Sequence, residues 1–354
     1  MTLKIGRIKI YLVVTAFLLL TSCVLPRESH SELQLANTPA LDGPWEIETL
    51  AFPQLVDHPR KRRIPIKVHL PVSGGPYPLV IVSHGAGGNW DANYAQARHI
   101  ASHGYVVFAL EHVGSNTAVA KASIRFLANL KAMTRDANEV LGRPKDISFA
   151  IDQAERWNVT DEKMRGRVDL THIGVLGHSF GAYTTLVVTG VRPALDWLKP
   201  EVPPGHGLGP DLNDPRVDCG VALSPQGPGE PFFIEQSYAS MRTPLLGISG
   251  SRDKQQGSIP ENRRRAFELW PPGDKYFIWL AGAVHTAFSD STGSGKRMLP
   301  SRSRDDVQPI VRAATLAFFN AFLKGKKSEL KQLTVQRLTP YLHGKVDSLE
   351  VIKK

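Results

Sequence analysis

Cysteine is nearly absent from these 354 residues, with only Cys23 and Cys219 present. Two such distant thiols exclude a disulfide-stapled scaffold and any four-cysteine zinc site. No Cys/His cluster has the spacing of a metal site, so no metal or other cofactor is called for. No apolar run reaches the length needed to span a bilayer comfortably; the candidate, residues 10–20, is too short. Acidic residues are missing altogether from the first 22 positions, and internal repeats are lacking. The formal charge of +10 depends in part on Lys4, Arg7 and Lys9, whose removal leaves +7. Much of that remainder falls after Phe322, so a nucleic-acid partner is not indicated.

What is present begins with a basic start, the apolar residues 10–20 and Leu20-Thr21-Ser22-Cys23. This pattern reads as an export signal over residues 1–22, and its end resembles the lipobox of bacterial lipoproteins. The resemblance implies that Cys23 is the lipidated N-terminus, held at the cell envelope, with Val24 favouring the outer membrane. An ordinary signal peptide with a nearby cysteine is the alternative. Residues 23–43 then read as a tether, and Cys219 as a buried, inert thiol in an apolar strand.

The chain is organised around Gly177-His178-Ser179-Phe180-Gly181. A short apolar run, His172 to Leu176, precedes it, and a helix-forming stretch, Ala182 to Val188, follows. Strand, G-x-S-x-G and helix together describe a turn that lifts a serine hydroxyl out of a sheet. Around it, buried strands are expected at 79–82, 105–110, 219–223, 245–248 and 276–280. Helices are expected at 91–103, 146–157 and 307–323. Residues 45–56 and 64–70 read as an antiparallel hairpin at a sheet edge. The fold class is therefore α/β, a mostly parallel central sheet covered by helices on both faces. The domain is expected over 44–325, with a basic C-terminal tail over 326–354. Residues 192–216 are rich in proline and glycine, and suit either a lid insertion or a plain surface loop.

A serine hydroxyl needs a base and an orienting carboxylate. After Ser179 the histidines are His206, in the Pro/Gly-rich loop, His285, just past the last buried strand, and His343, in the basic tail. His285 is the expected base. Asp253 follows the strand at 245–248 and is the expected acid, a salt bridge to Arg252 or another cation being its alternative role. Asp211, Asp214 and Asp218 precede an earlier strand and suit solvation or capping. Oxyanion donors are expected from the N–H of Phe180 and of Ala86, in the loop His84-Gly85-Ala86-Gly87-Gly88. That loop lacks the nucleotide-binding glycine patterns. Glu111 and His112 are substrate-pocket candidates, with structural hydrogen bonding the favoured alternative.

With Ser83-His84-Gly85-Ala86, Glu111-His112, the G-x-S-x-G and Gly282-Ala283-Val284-His285 in this order, the chain resembles an α/β-hydrolase. Within that fold it is similar to the platelet-activating-factor acetylhydrolase and dienelactone-hydrolase-like group, over roughly residues 45–325. The resemblance implies Ser179 as nucleophile, His285 as base and Ala86 and Phe180 as the oxyanion hole. It departs from the acetylhydrolases at Ala222-Leu223-Ser224-Pro225, where their acid would stand, so the role passes to Asp253 as in dienelactone-hydrolase-like members. The expected activity is metal-independent hydrolysis of a small carboxylic ester through an acyl-serine, with short acyl groups implied. Lactones, thioesters and amides suit the same residues, and a catalytically silent binding lipoprotein is the reading from another class.

Overall fold

The computed structural model describes residues 39–255, 258–290, 304–342 and 344–354. The export signal, Cys23, the tether up to residue 38 and His343 lie outside the described residues.

In chain order the strands and helices are β1 (Ile47–Phe52), β2 (Val56–Asp57), β3 (Arg62–Arg63), β4 (Ile66–Pro71), β5 (Tyr77–Ser83), α1 (Tyr94–Ser102), β6 (Val106–Leu110), α2 (Thr117–Ala120), α3 (Phe126–Met133) and α4 (Ala137–Thr160). There follow β7 (Val168–His178), α5 (Phe180–Val188), β8 (Cys219–Leu223), β9 (Leu245–Arg252), α6 (Pro260–Leu269), β10 (Lys275–Val284), α7 (Arg304–Leu323), α8 (Val335–Leu338) and β11 (Leu349–Lys353). Nine strands form one sheet in the order β1-β4-β6-β5-β7-β8-β9-β10-β11. The six from β6 to β10 pair in parallel. Antiparallel strands close both edges, β1 and β4 on one side and β11 on the other.

The central strands read as unbroken apolar runs because both faces are covered. Alternate residues serve opposite layers. Val80, Val82, Val107 and Ala109 pack with α1 and α7, whereas Leu79, Ile81, Val106 and Phe108 pack with Ile147, Ala150, Ile151 and Ala154 of α4. α5 and α6 extend the α4 layer, with Leu186, Val187 and Phe267 over Ala222, Leu245 and Phe277.

Two segments differ from the sequence expectation, and a third, open there between a lid and a surface loop, is placed by the structure. First, α4 begins nine residues before the expected start at Asp146 and runs through Gly142 and Pro144. Proline lacks the N–H that would bond the carbonyl four residues back. Here that carbonyl, Val140 O, instead accepts the Tyr183 hydroxyl at 3.0 Å. Second, part of the basic segment after residue 325 joins the sheet, β11 pairing with β10 from Leu280↔Leu349 to Tyr276↔Lys353. Third, residues 192–216 pack beside α5, with Leu195 and Leu198 buried there and Ala194 bridged to Leu208.

Candidate active site

The chemistry-bearing side chains sit at the carboxyl ends of β5, β7, β9 and β10, where a parallel sheet opens its crevice. Ser179 occupies the single residue between β7 and α5, with φ 57° and ψ −118°. This left-handed backbone is costly for a residue with a Cβ and is held by its surroundings. The Ser179 N–H donates to Leu223 O at 3.0 Å, and its carbonyl accepts Gln226 Nε2 at 2.6 Å. The flanking glycines are required by space. A methyl on Gly177 would collide with the Gly181 carbonyl, and one on Gly181 with the Ser83 carbonyl.

Ser179, His285 and Asp253 form one hydrogen-bonded row. The Ser179 hydroxyl donates to His285 Nε2 at 2.9 Å, and His285 Nδ1–H donates to Asp253 Oδ1 at 2.7 Å. The carboxylate can only accept, which places the imidazole proton on Nδ1 and leaves Nε2 bare. Ser249 donates to the other carboxylate oxygen at 2.8 Å. Asp253 is fully buried, His285 nearly so, and Ser179 is partly open to the cleft.

Arg263 borders this row from α6. Its Nε donates to the Asp253 carbonyl and lies 3.0 Å from Oδ1, while Nη1 donates to Ser224 O at 2.9 Å. Burial pushes the Asp253 pKa up, but the charges of Arg263 and His285 and the hydrogen bonds from His285 and Ser224 together hold it well below the usual carboxylate range. Burial lowers the His285 pKa; Asp253 opposes that shift and Arg263 adds to it. A neutral base beside an ionised acid results. His178 Nε2–H donates to the His285 carbonyl at 3.0 Å, and burial lowers the His178 pKa to about 3, so this prop stays uncharged.

Ala86 and Phe180 flank Ser179. Gly88 N–H bonds Gly85 O at 3.0 Å, closing a turn with Gly87 at φ 74°. In such a turn the N–H of the second residue, Ala86, is not used. Phe180 opens α5, so its N–H has no acceptor within the helix.

A cleft of about 250 Å³ lies over the serine. Its lining combines the apolar Ala86, Phe126, Leu127, Leu130, Phe180 and Phe232 with the polar Gln226, Gln255, Ser258 and Asn262. Arg135 Nε donates to Glu230 Oε1 at 2.9 Å, tying the segment after α3 to the loop bearing Phe232. No residue of 192–216, read as either a lid or a plain surface loop, lines the cleft, whereas Phe126, Leu127 and Leu130 of α3 do.

Glu111 and His112, expected as pocket candidates, do not line the cleft. Glu111 accepts Asn116 Nδ2 at 2.7 Å. His112 is fully buried between Ser83 Oγ, 2.9 Å, and Asp146 Oδ2, 2.8 Å. Both side chains are committed to tying loops together, which is why neither reaches a ligand. Asp214 is bound to Arg216, and Asp218 accepts the Ile173 N–H at 2.8 Å. Asp211 and His206 are exposed. The cation beside Asp253 is Arg263 rather than Arg252, which is exposed. Among the described residues no group of three His, Cys, Asp or Glu side chains could hold a metal ion. Cys219 is buried, with its thiol pKa raised by that burial.

Sequence reasoning did not single out Arg263, Ser249, Gln226 or the prop by His178. Arg263 falls in Arg263-Arg264-Arg265, which reads as a solvated run; only helical phase separates the buried member from half-buried Arg264 and exposed Arg265.

The family described as platelet-activating factor acetylhydrolase, isoform II, matches residues 60–140. That span contains Ala86 but none of Ser179, Asp253 and His285. Among curated proteins, platelet-activating factor acetylhydrolase of Cavia porcellus is 25% identical over 295 residues, covering 74% of this chain and 61% of its own length. The dog protein of the same name is 27% identical, covering 62% and 50% respectively. Cutinase est2 of Thermobifida alba is 25% identical, covering 62% and 56%. The chain thus spans about half to three-fifths of the length of these relatives. With a parallel sheet edged by antiparallel strands and a serine on the turn after its central strand, the chain has the α/β-hydrolase fold, the fold class of the acetylhydrolases and cutinases it is similar to.

Proposed function

We propose that the protein is a serine carboxylic-ester hydrolase that works through an acyl-serine intermediate. The observation that carries this reading is the Ser179–His285–Asp253 row, opening into a cleft that Ala86 and Phe180 also line. Ser179 Oγ attacks the ester carbonyl carbon while its proton passes to His285 Nε2. Asp253 stabilises the imidazolium that forms. Negative charge gathers on the former carbonyl oxygen, facing the Ala86 and Phe180 N–H groups. Collapse expels the alcohol, which takes the proton from His285. Water then repeats the sequence on the acyl-serine and releases the acid.

Short acyl groups fit the cleft best. A dry cavity of about 150 Å³ accommodates a benzene ring, and drug-sized ligands fill about 300–1,000 Å³. At about 250 Å³ the space suits an acetyl-to-butyryl group plus part of the alcohol. The experiment is labelling by a fluorophosphonate probe, located by peptide mass spectrometry, with p-nitrophenyl acetate turnover. Labelling at Ser179, and turnover lower by several powers of ten in folded Ser179→Ala, supports the assignment; near-normal hydrolysis by that variant refutes it.

We also propose that lipid on Cys23 holds the protein at the bacterial cell envelope, in the outer membrane. The support is the sequence pattern before Cys23 and Val24 after it. Mass spectrometry of the mature N-terminus tests it, and an unmodified terminus downstream of Cys23 would contradict it.

A further inference from the structure

The buried face of α4 carries a guanidinium whose donors are only partly used. Arg143 is fully buried, and its Nε and Nη1 have no hydrogen-bond partner. A buried cation is normally paired, because desolvating it is costly. Two carboxylates flank it on the same helix, Glu139 and Asp146, but both are drawn away. Arg62 Nη1 donates to Glu139 Oε1 at 2.7 Å and Arg62 Nε to Asp146 Oδ1 at 2.8 Å; Arg60 Nη1 also reaches Asp146 Oδ1 at 2.8 Å.

What Arg143 does touch is specific. Its Nη2 donates to the His84 carbonyl, two residues before Ala86. Its guanidinium carbon stands 4.2 Å from the centre of the Phe180 ring, within the range of a cation–π contact. One side chain therefore joins the β5 loop to the first residue of α5. The His84 carbonyl is itself aimed by a rigid frame. The His112 N–H donates to His84 Nε2 at 3.0 Å, so the His84 proton is on Nδ1, where it bonds Gly85 O at 2.7 Å. His112 in turn spans Ser83 and Asp146.

We infer that Arg143 is a positioning residue for the oxyanion cradle, clamping the Ala86 loop and the Phe180 end of α5 at a fixed separation and holding a positive charge behind both N–H groups. The inference rests on the ester-hydrolase reading above. Burial brings the Arg143 pKa down to about 9, opposed by Glu139 and Asp146, so the side chain stays charged at neutral pH. A cradle matters most when charge has developed on the oxygen, so loss of its geometry acts on turnover rather than on ground-state binding.

The test uses Arg143→Met, which keeps the apolar stem, and Arg143→Lys, which keeps the charge but cannot both bond and stack. Active sites are counted by fluorophosphonate titration to completion, so that loss of folded protein does not enter the rate. For Arg143→Met, kcat on p-nitrophenyl acetate should fall roughly 10- to 100-fold per titrated site, less than the 10²–10³ of a lost donor. KM should change less than about threefold. Affinity for an aryl trifluoromethyl ketone, whose adduct mimics the tetrahedral oxyanion, should fall by the same factor as kcat/KM. Arg143→Lys should recover part of the loss. Phe180→Leu, which keeps the N–H and removes the ring, should lower kcat in the same way, and the double variant should lose less than the product of the two. Per-site kcat within twofold of wild type in both Arg143 variants, or strict multiplicativity with Phe180→Leu, would overturn the inference while a labelled, active wild type left the ester-hydrolase reading standing. An inert and unlabelled wild type would overturn both.

Discussion

In the proposed mechanism the Asp253 carboxylate performs two services, and replacing it by asparagine separates them. The first is electrostatic. As His285 takes the serine proton it becomes an imidazolium, with Asp253 Oδ1 2.7 Å from Nδ1. Taking the centres of charge about 4 Å apart at an effective dielectric of about 20, the lost attraction is roughly 4 kcal/mol. That corresponds to about three powers of ten in rate. The second service is tautomeric. An asparagine that turns its NH₂ toward Nδ1 moves the imidazole proton to Nε2, where it faces Ser179 and abolishes the base; the total loss in such a case is about 10⁴-fold. Arg263, 3.0 Å from Oδ1, favours an oxygen at that place and so resists the flip. The expected fall in kcat is therefore about 10³, rising toward 10⁴ as the flipped amide is populated. The assay is p-nitrophenyl acetate hydrolysis, corrected for the spontaneous rate and expressed per mole of folded protein by near-ultraviolet circular dichroism. Ser249→Ala, which keeps the charge, should stay within tenfold of wild type, and Asp211→Asn, Asp214→Asn and Asp218→Asn should leave kcat unchanged. A fall of less than tenfold for Asp253→Asn, or a crippling effect from one of those three, would refute the assignment.

Three further outcomes follow from the same geometry. His285 works as a base only when neutral, and burial, aided by Arg263, lowers its pKa against the pull of Asp253. The acidic limb of kcat/KM should thus lie below the ordinary histidine value, and Arg263→Met should move it to higher pH; a limb that stays put or moves down contradicts the electrostatic role. Tyr183→Phe leaves Val140 O without the hydroxyl that replaces the missing Pro144 N–H. It should cost about 1–3 kcal/mol, a fall in Tm of about 2–4 °C for each kcal/mol in a domain of this size, and an unchanged Tm would show that the carbonyl is satisfied otherwise. Along p-nitrophenyl esters of two to sixteen carbons, kcat/KM should peak at short chains, whereas a steady rise toward the long end would reveal a groove beyond the cleft.

The site was legible in the sequence where backbone constraint leaves a residue signature. Gly177 and Gly181 are needed because a Cβ would meet backbone atoms, and the positive φ of Ser179 is the turn they permit. Asp253 and His285 stand out by position, each following a strand that reads as an apolar run, and the structure brings both into one hydrogen-bonded row with Ser179. Arginines leave no such signature. Arg143 and Arg263 carry the same letter as exposed arginines, and nothing in the local pattern marks a cation that the fold buries. Composition misled in two places. Pro144 and Gly142 hid the first half of α4, because the bond that compensates the proline comes from Tyr183, far along the chain. The lysines around β11 read as a solvated tail, although its alternation, Leu349-Glu350-Val351-Ile352-Lys353, gives a strand for the edge of β10.

The same atomic connectivity recurs among the described residues, and the contrast separates a sealed copy from the one proposed to react. Ser83 Oγ, His112 Nε2, His112 Nδ1 and Asp146 Oδ2 repeat the serine–histidine–aspartate order at 2.9 and 2.8 Å. Burial lowers the pKa of His112 well below the ordinary value, helped by Arg143, Arg62 and Arg60, so it too is neutral. Ser83, however, is a β5 strand residue with no exposure, and all three side chains are sealed from solvent. No substrate carbonyl can approach a hydroxyl so enclosed. Asp146 is further bonded by Arg60 and Arg62, which spends its charge on holding β3 and the preceding turn against α4. Ser179 differs in being lifted by its left-handed backbone into a cleft whose opposite edge is the Ala86 turn. The buried row fixes the root of that turn through Ser83 and His84, and the open row shares its cleft with Ala86 of the turn. Strength of hydrogen bonding does not distinguish them; access and the place prepared for an oxyanion do.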